Sequence, residues 1–130
     1  MTRKTNFRNV IAVLAVSALA LAGLGGSAAS AAAPATKVVI KAESGGFYGF
    51  LKSPKLECKS ERTVVLYKQL GAKQKPRTDE QVGMDTSGTA ENGYEWNMGN
   101  PGLHSGRYYA RAVVTPNCPG VNSITLRAQQ

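Results

Sequence analysis

The stretch GRYYARAVV, from Gly106 to Val114, decides the fold of this 130-residue chain. Two sets of side chains alternate along it without interruption. The apolar or small set is Tyr108, Ala110, Ala112 and Val114, and the second, largely charged, set is Arg107, Tyr109, Arg111 and Val113. A period of two residues is typical of a strand that buries one face and leaves the other in water. The stretch therefore predicts an antiparallel sheet with one packed face.

Other short β-prone segments lie on either side of it, separated by turn-forming Gly, Pro, Asn and Ser. Together they give seven candidate strands, at residues 38–41, 47–52, 63–67, 82–85, 94–98, 107–114 and 123–127. Residues 71–78 predict a polar, basic loop, and residues 88–93 predict a turn. We therefore predict an all-β fold, a single seven-stranded antiparallel two-sheet sandwich. Its predicted core is Leu51, Val64, Leu66, Val82, Tyr94, Trp96, Tyr108, Ala110, Ala112, Ile124 and Leu126.

The N-terminus has the order of a secretory signal peptide. Basic residues at Arg3, Lys4 and Arg8 precede an apolar stretch at residues 10–24, and small residues follow. We predict cleavage after Ala31, with cleavage after Ala33 as the alternative. We predict a cleaved helical signal peptide at residues 1–31, a flexible N-terminus at 32–36 and the sandwich domain at 37–130. The mature protein is then secreted and extracellular, and it has no permanent membrane anchor.

Charge and cysteine content describe that mature chain further. The whole sequence has 16 Lys+Arg and 8 Asp+Glu, for a net charge of +8, and the signal takes three of the bases, which leaves +5. Cys58 and Cys118 are the two cysteines, and an even count in an oxidising compartment predicts a disulfide. Closing a loop of about 60 residues stabilises a fold by roughly 4 kcal/mol. The alternative is a thiol–metal or redox site, for which the chain offers few partners.

Three motifs carry a resemblance to a known family. They are the VGMDT sequence that starts at Val82, the GYEW sequence that starts at Gly93 and the GRYYA sequence that starts at Gly106. In these the chain resembles a small secreted bacterial protein of the transthyretin-like (prealbumin-like) sandwiches, a superfamily that includes the carboxypeptidase regulatory-like domains. The resemblance implies a prealbumin-like topology and a folding or binding module without catalysis. An immunoglobulin-like sandwich is the alternative topology.

Catalytic chemistry has little support in the residues. His104 is the single histidine, and the sequence contains no nucleophile elbow, phosphate loop or metal-binding histidine pair. Asp79, Glu80 and Asp85 lack the spacing of a calcium loop and are interpreted as solvated charges. We therefore predict no enzyme activity, no cofactor and no metal.

Two groups of side chains are candidates for binding. The basic group is Lys68, Lys73, Lys75 and Arg77, and the aromatic group is Tyr48, Phe50, Tyr67 and Tyr109. The basic group suits an anionic polymer, whereas its alternative role is to protect a sheet edge from aggregation. The aromatic group suits a glycan, whereas its alternative role is cross-strand stabilisation of the sheet. Contiguity of the four rings would distinguish these two roles.

Two classes of function follow. The first is a secreted, non-catalytic module that binds a cell-wall polymer, a glycan or a protein partner, and nucleic acid is not expected. The second is a small secreted inhibitor or effector that acts through the exposed loop between Gly99 and Gly106. The sequence leaves the ligand and the oligomeric state open.

Overall fold

The computed structural model describes residues 35–44, 46–102 and 105–129. Within them the protein is all-β, with one short 3₁₀ turn at Leu56–Cys58. The strands are β1 (Lys37–Glu43), β2 (Gly46–Lys52), β3 (Thr63–Lys68), β4 (Glu80–Thr86), β5 (Gly88–Ala90), β6 (Gly93–Gly99), β7 (Gly106–Ala112), β8 (Val121–Asn122) and β9 (Leu126–Ala128). The predicted signal peptide lies outside the described residues. In the described part, no helix has the length and apolar character to span a membrane.

The strands form two antiparallel sheets. The first sheet has the order β1-β2-β6-β5, and the second has the order β4-β3-β7-β8, with β9 also paired to β7. The strand count is nine among the described residues, so the prediction of seven is wrong. Residues 88–90, predicted as part of a turn, pair with β6 instead. Of the predicted last strand, residues 123–127, only the end belongs to β9, and β8 precedes it.

The core lies between the inner faces of the two sheets. Its buried members are Val38, Ile40, Phe47, Leu51, Val64, Leu66, Trp96, Tyr108, Ala110 and Ala112, and Val82, Tyr94 and Leu126 pack against them partly buried. Burying one large apolar side chain contributes about 1.5–3 kcal/mol, so this set supplies most of the drive to fold. The alternation read from β7 therefore points Tyr108, Ala110 and Ala112 inward as predicted.

Ile124 is the core prediction that is wrong, because its side chain is 75% exposed. The neighbouring Ser123 takes the inward position. Its amide donates to the carbonyl of Ala110 (2.8 Å), and its hydroxyl accepts from the amide of Ala110 (2.9 Å). This pairing interrupts the strand after Asn122 and turns the next side chain toward solvent.

The centre of the first sheet depends on a glycine. Gly49 lies opposite Ile40 of β1 and Trp96 of β6, where the sheet backbone and the indole come very close. A Cβ atom at Gly49 would lie 1.8 Å from the carbonyl oxygen of Val39 and 2.9 Å from Cζ2 of Trp96. The indole Nε1 of Trp96 donates to that same carbonyl (3.2 Å). Only glycine leaves room for this arrangement.

The disulfide between Cys58 and Cys118 is confirmed, with Cα atoms 5.6 Å apart. It joins the loop before β3 to the loop after β7. Arg62 lies beside it and is only 2% exposed. The Arg62 guanidinium donates to the backbone carbonyls of Val113 (3.0 and 3.2 Å), Cys58 (3.0 Å) and Pro119. Burial lowers the pKa of Arg62. The guanidinium thus ties both disulfide loops to the end of β7.

Candidate anion-binding loop

Residues 69–79, which we call the strap, connect β3 to β4 and lie against the outer face of the second sheet. Three contacts hold the strap to β7. The amide of Gln69 donates to the carbonyl of Arg107 (2.8 Å), and Nη2 of Arg107 donates to the carbonyl of Gly71 (2.7 Å). The hydroxyl of Tyr109 donates to Oδ2 of Asp79 (2.7 Å). A segment that the sequence predicts as a polar loop is therefore attached along much of its length.

Asp79 organises the second half of the strap. Its carboxylate accepts hydrogen bonds from the amides of Leu70 (3.0 Å) and Lys75 (2.6 Å), besides the one from Tyr109. Burial alone raises the pKa of Asp79, but these hydrogen bonds and the Lys75 charge outweigh it and hold the pKa below its ordinary value. Burial and the same carboxylate raise the pKa of Tyr109. At neutral pH the pair is therefore a carboxylate and a phenol, the combination that makes a strong charge-assisted hydrogen bond.

Gln74 anchors the middle of the strap to the connection between β8 and β9. Its Nε2 donates to the carbonyl of Ser123 (2.9 Å) and to Oγ1 of Thr125 (2.8 Å), and its Oε1 accepts from Nδ2 of Asn122 (2.9 Å). Thr125 in turn donates to Oε1 of Gln69 (2.6 Å). Side-chain networks whose members are all paired hold a loop in one conformation.

The predicted basic group is divided by this geometry. Lys73, Lys75 and Arg77 lie on the strap with exposed side chains, and the last two line one shallow depression. Lys68 ends β3, is half-buried and lines a separate depression with Glu80. Neither β3, a central strand, nor the strap is a sheet edge. Edge protection therefore does not explain these four cations.

The four candidate rings form two separate pairs. Tyr67 and Tyr109 stack on the second sheet, with centroids 5.3 Å apart and planes at 16°. The alternation along residues 107–114 predicts that Tyr109 lies on the face left in water, and this is wrong: Tyr109 is fully buried, because the strap covers the outer face on which it lies.

The other two rings, Tyr48 and Phe50, are half-buried on β2 in the first sheet. The hydroxyl of Tyr48 donates to Oε2 of Glu43 (3.1 Å), and the ammonium of Lys41 lies 5.5 Å from the centroid of Phe50. Because the two pairs belong to different sheets, the four rings make no single platform.

Two of the three acidic residues considered for calcium make other contacts. Asp79 anchors the strap, and Oδ2 of Asp85 on β4 accepts from the amide of Asn97 on β6 (2.7 Å), which joins the two sheets. His104 and its neighbour at position 103 lie outside the described residues, and so does part of the loop proposed for an inhibitor.

Sequence reasoning missed the roles of Asp79, Gln74 and Arg107. The contacts that join the strap to β7, β8 and the β8–β9 connection through these side chains link residues 30 to 51 positions apart, and no local spacing signals such pairs. No protein-family model matches this chain, and comparisons with curated proteins and with solved structures give no significant match. Function is therefore inferred from the residues themselves.

Proposed function

We propose that this protein is a non-catalytic β-sandwich module that binds an anionic polymer through Lys73, Lys75 and Arg77. One observation carries the proposal. The strap backbone is fixed by Asp79 and Gln74, whereas the three basic side chains are exposed. A loop that is ordered before binding loses little conformational entropy when the ligand arrives, so weak contacts to exposed cations add up to useful affinity.

The charge of the strap supports the same ligand class. No acidic residue occurs between Lys68 and Arg77, and the carboxylate that follows, Asp79, accepts three hydrogen bonds from the strap and β7. A net charge of +5 for residues 32–130 adds long-range attraction to an anionic chain. Carboxylate- or phosphate-bearing wall polymers have the required chemistry.

The setting of this function is part of the proposal. Residues 1–31 act as a signal peptide, and the module works outside the cell. The disulfide supports this, because such bonds persist in oxidising compartments. We also propose kinship with the transthyretin-like domains, on the motifs that start at Val82, Gly93 and Gly106.

The test replaces Lys73, Lys75 and Arg77 together by Gln and measures retention on an immobilised phosphate- or carboxylate-bearing wall polymer. Exposed ion pairs contribute about 0.2–1 kcal/mol each, so the triple variant should bind roughly tenfold more weakly at low salt. Parental binding should fall steeply as salt rises, because screening acts within about 8–10 Å at 0.1–0.15 M ionic strength.

A matched control removes three exposed lysines that do not lie on the strap, Lys37, Lys52 and Lys55, and so makes the same change in net charge. The control should retain binding within about twofold. Equal weakening in both triple variants would show that net charge alone is responsible and would contradict a strap site. Unchanged binding in the strap variant would contradict the proposed function outright.

A further inference from the structure

Two arginines lie directly opposite each other at the end of the second sheet. In the antiparallel pairing of β7 with β9, Arg107 is in register with Arg127, and the next pair along is Tyr108 with Leu126. Tyr108 and Leu126 point to the core, so both arginines point to the outer face. Residues in such a pair have Cβ atoms about 4.5–5.5 Å apart, and like charges there destabilise the sheet. The sequence thus places two positive charges where folding alone disfavours them.

Among the described residues, no acidic side chain lines the surface beside the two arginines. Both arginines line a shallow depression of about 350 Å³, together with Ser105, Gly106, Ala128 and Gln129. None of these lining residues is acidic. The nearby Arg111 on β7 donates through Nη1 to Oδ1 of Asn122 (2.6 Å), whereas the Arg127 side chain makes no hydrogen bond to the residues that the structure describes. Arg127 is therefore the member of the pair with all of its donors left for a ligand.

One of the two guanidinium groups is already positioned. Arg107 is half-buried, and its Nη2 is held by the carbonyl of Gly71 in the strap (2.7 Å), which uses only part of its five N–H donors. Arg127 is exposed on the short strand β9. A fixed donor group beside an adjustable one suits a ligand with several acceptor oxygens.

We propose that Arg107 and Arg127 together bind a phosphate group. A phosphate offers enough oxygens to accept from two planar guanidinium forks at once, and it relieves the repulsion between them. Arg107 also contacts Gly71 of the strap, so a phosphate at the arginine pair is adjacent to the loop that carries Lys73, Lys75 and Arg77. This inference rests on the proposed function for its ligand, and it specifies that ligand as a phosphate-bearing polymer.

The test uses Arg127→Gln in the full mature protein, with inorganic polyphosphate as the probe and calorimetric titration at low salt as the measurement. The variant should lose about tenfold or more in affinity, in line with the loss of one charge-assisted contact. Arg127→Lys keeps the charge but loses the planar guanidinium group. Its affinity for polyphosphate should lie between those of Arg127→Gln and the parent. Lys52→Gln, on the first sheet, is the control of equal charge change and should bind like the parent within about twofold.

Thermal unfolding gives a second readout that a purely structural role would not produce. Without an anion and at low salt, Arg127→Gln should unfold a few degrees higher than the parent, roughly 1–6 °C, because one member of the repelling pair is gone. With polyphosphate, the parent should gain more in Tm than the variant. Parental affinity in Arg127→Gln, or an equal gain in Tm, would overturn the site.

Two further probes decide the chemistry of the ligand. Polyglutamate should bind the parent and Arg127→Gln with similar affinity. If Arg127→Gln loses as much affinity for polyglutamate as for polyphosphate, the assignment to phosphate is overturned. Inorganic phosphate should bind more weakly than polyphosphate, and equal affinity would overturn the polymer as its source. If Arg127→Gln binds normally while the strap triple variant does not, this inference fails and the proposed function stands.

Discussion

Removing a single oxygen atom, in Tyr109→Phe, tests how the strap is held. The Tyr109 ring is fully buried and stacks on Tyr67, and the substitution leaves that stack in place. What is lost is the hydrogen bond of 2.7 Å from the hydroxyl to Oδ2 of Asp79. Asp79 keeps its two bonds from the amides of Leu70 and Lys75.

The size of the effect follows from that bond. A hydrogen bond to a charged group contributes about 1.5–3 kcal/mol, and we take the lower end because the Asp79 carboxylate is partly open to solvent. A loss of about 1.5 kcal/mol should lower Tm by roughly 6–12 °C in a domain of this size. The amides of Leu70 and Lys75 should exchange their hydrogens faster, since the carboxylate that they share is less well fixed.

The same bond predicts how stability depends on pH. The folded-state pKa of Asp79 lies below its unfolded value, so its contribution is present above the unfolded pKa of about 3.9 and is lost as pH falls through the folded pKa. Tyr109→Phe brings the folded pKa closer to the unfolded one. The variant should therefore lose less stability than the parent when the pH is lowered from about 5 to 2.

The matched control is Tyr67→Phe, because the Tyr67 hydroxyl makes no hydrogen bond to the residues that the structure describes. It alters the other ring of the stack and should change Tm by only a degree or two, within the scatter of about 0.5 kcal/mol typical of neutral substitutions. Denaturant or thermal unfolding at several pH values measures all three proteins. Equal destabilisation of the two Phe variants would refute the proposed anchoring of the strap. So would a loss of stability between about pH 5 and pH 2 that is the same in Tyr109→Phe as in the parent.

Two more perturbations test the sandwich itself. Gly49→Ala should destabilise the fold by about 3 kcal/mol or more and lower Tm, since its Cβ has no room beside the carbonyl of Val39, whereas the exposed Gly88→Ala, with nothing within 4 Å, should be tolerated. A decrease in Tm of only a degree or two in Gly49→Ala would contradict the close approach of Gly49 to the carbonyl of Val39. Replacing both Cys58 and Cys118 by Ser should cost about 4 kcal/mol in denaturant unfolding, and reducing agent should then have no further effect on the variant. Parental stability in that variant would show that the bond constrains little.

The parts of the fold that sequence reasoning predicted are those with a local signal. The alternation along β7 placed Tyr108, Ala110 and Ala112 in the core, and the cysteine count predicted the disulfide. Residues 88–90 fall in the turn predicted at residues 88–93, which Gly88 and Gly93 indicate. They form β5 because β6 offers a free edge, which is a tertiary effect that local propensity does not contain.

The candidate site shows the same limit more sharply. The strap was recognisable as a basic loop, and Lys73, Lys75 and Arg77 are exposed on it as a loop pattern implies. Nothing in the strap sequence indicates that Gln74 bonds Ser123, 49 residues later in the chain. Nor does it indicate that Asp79 accepts a hydrogen bond from Tyr109 of β7. The burial of Tyr109 follows from these contacts, which is why its exposure was wrongly predicted.

The position of the disulfide also bears on the order of events during folding. Cys58 precedes Val64 of β3 by as many residues as Cys118 follows Ala112 of β7, and Val64 and Ala112 are cross-strand partners. Without the disulfide, pairing Val64 with Ala112 closes a loop of about 48 residues. With the disulfide already formed, the same pairing closes a ring of only about 12 residues. The entropic cost of loop closure is then lower by about 1.2 kcal/mol. If this pairing belongs to the folding nucleus, the oxidised chain folds up to about eightfold faster than the reduced one. An oxidase that acts on the emerging chain would then serve as a catalyst of folding, and the reduced chain would stay longer in the unpaired state that proteases and aggregation exploit.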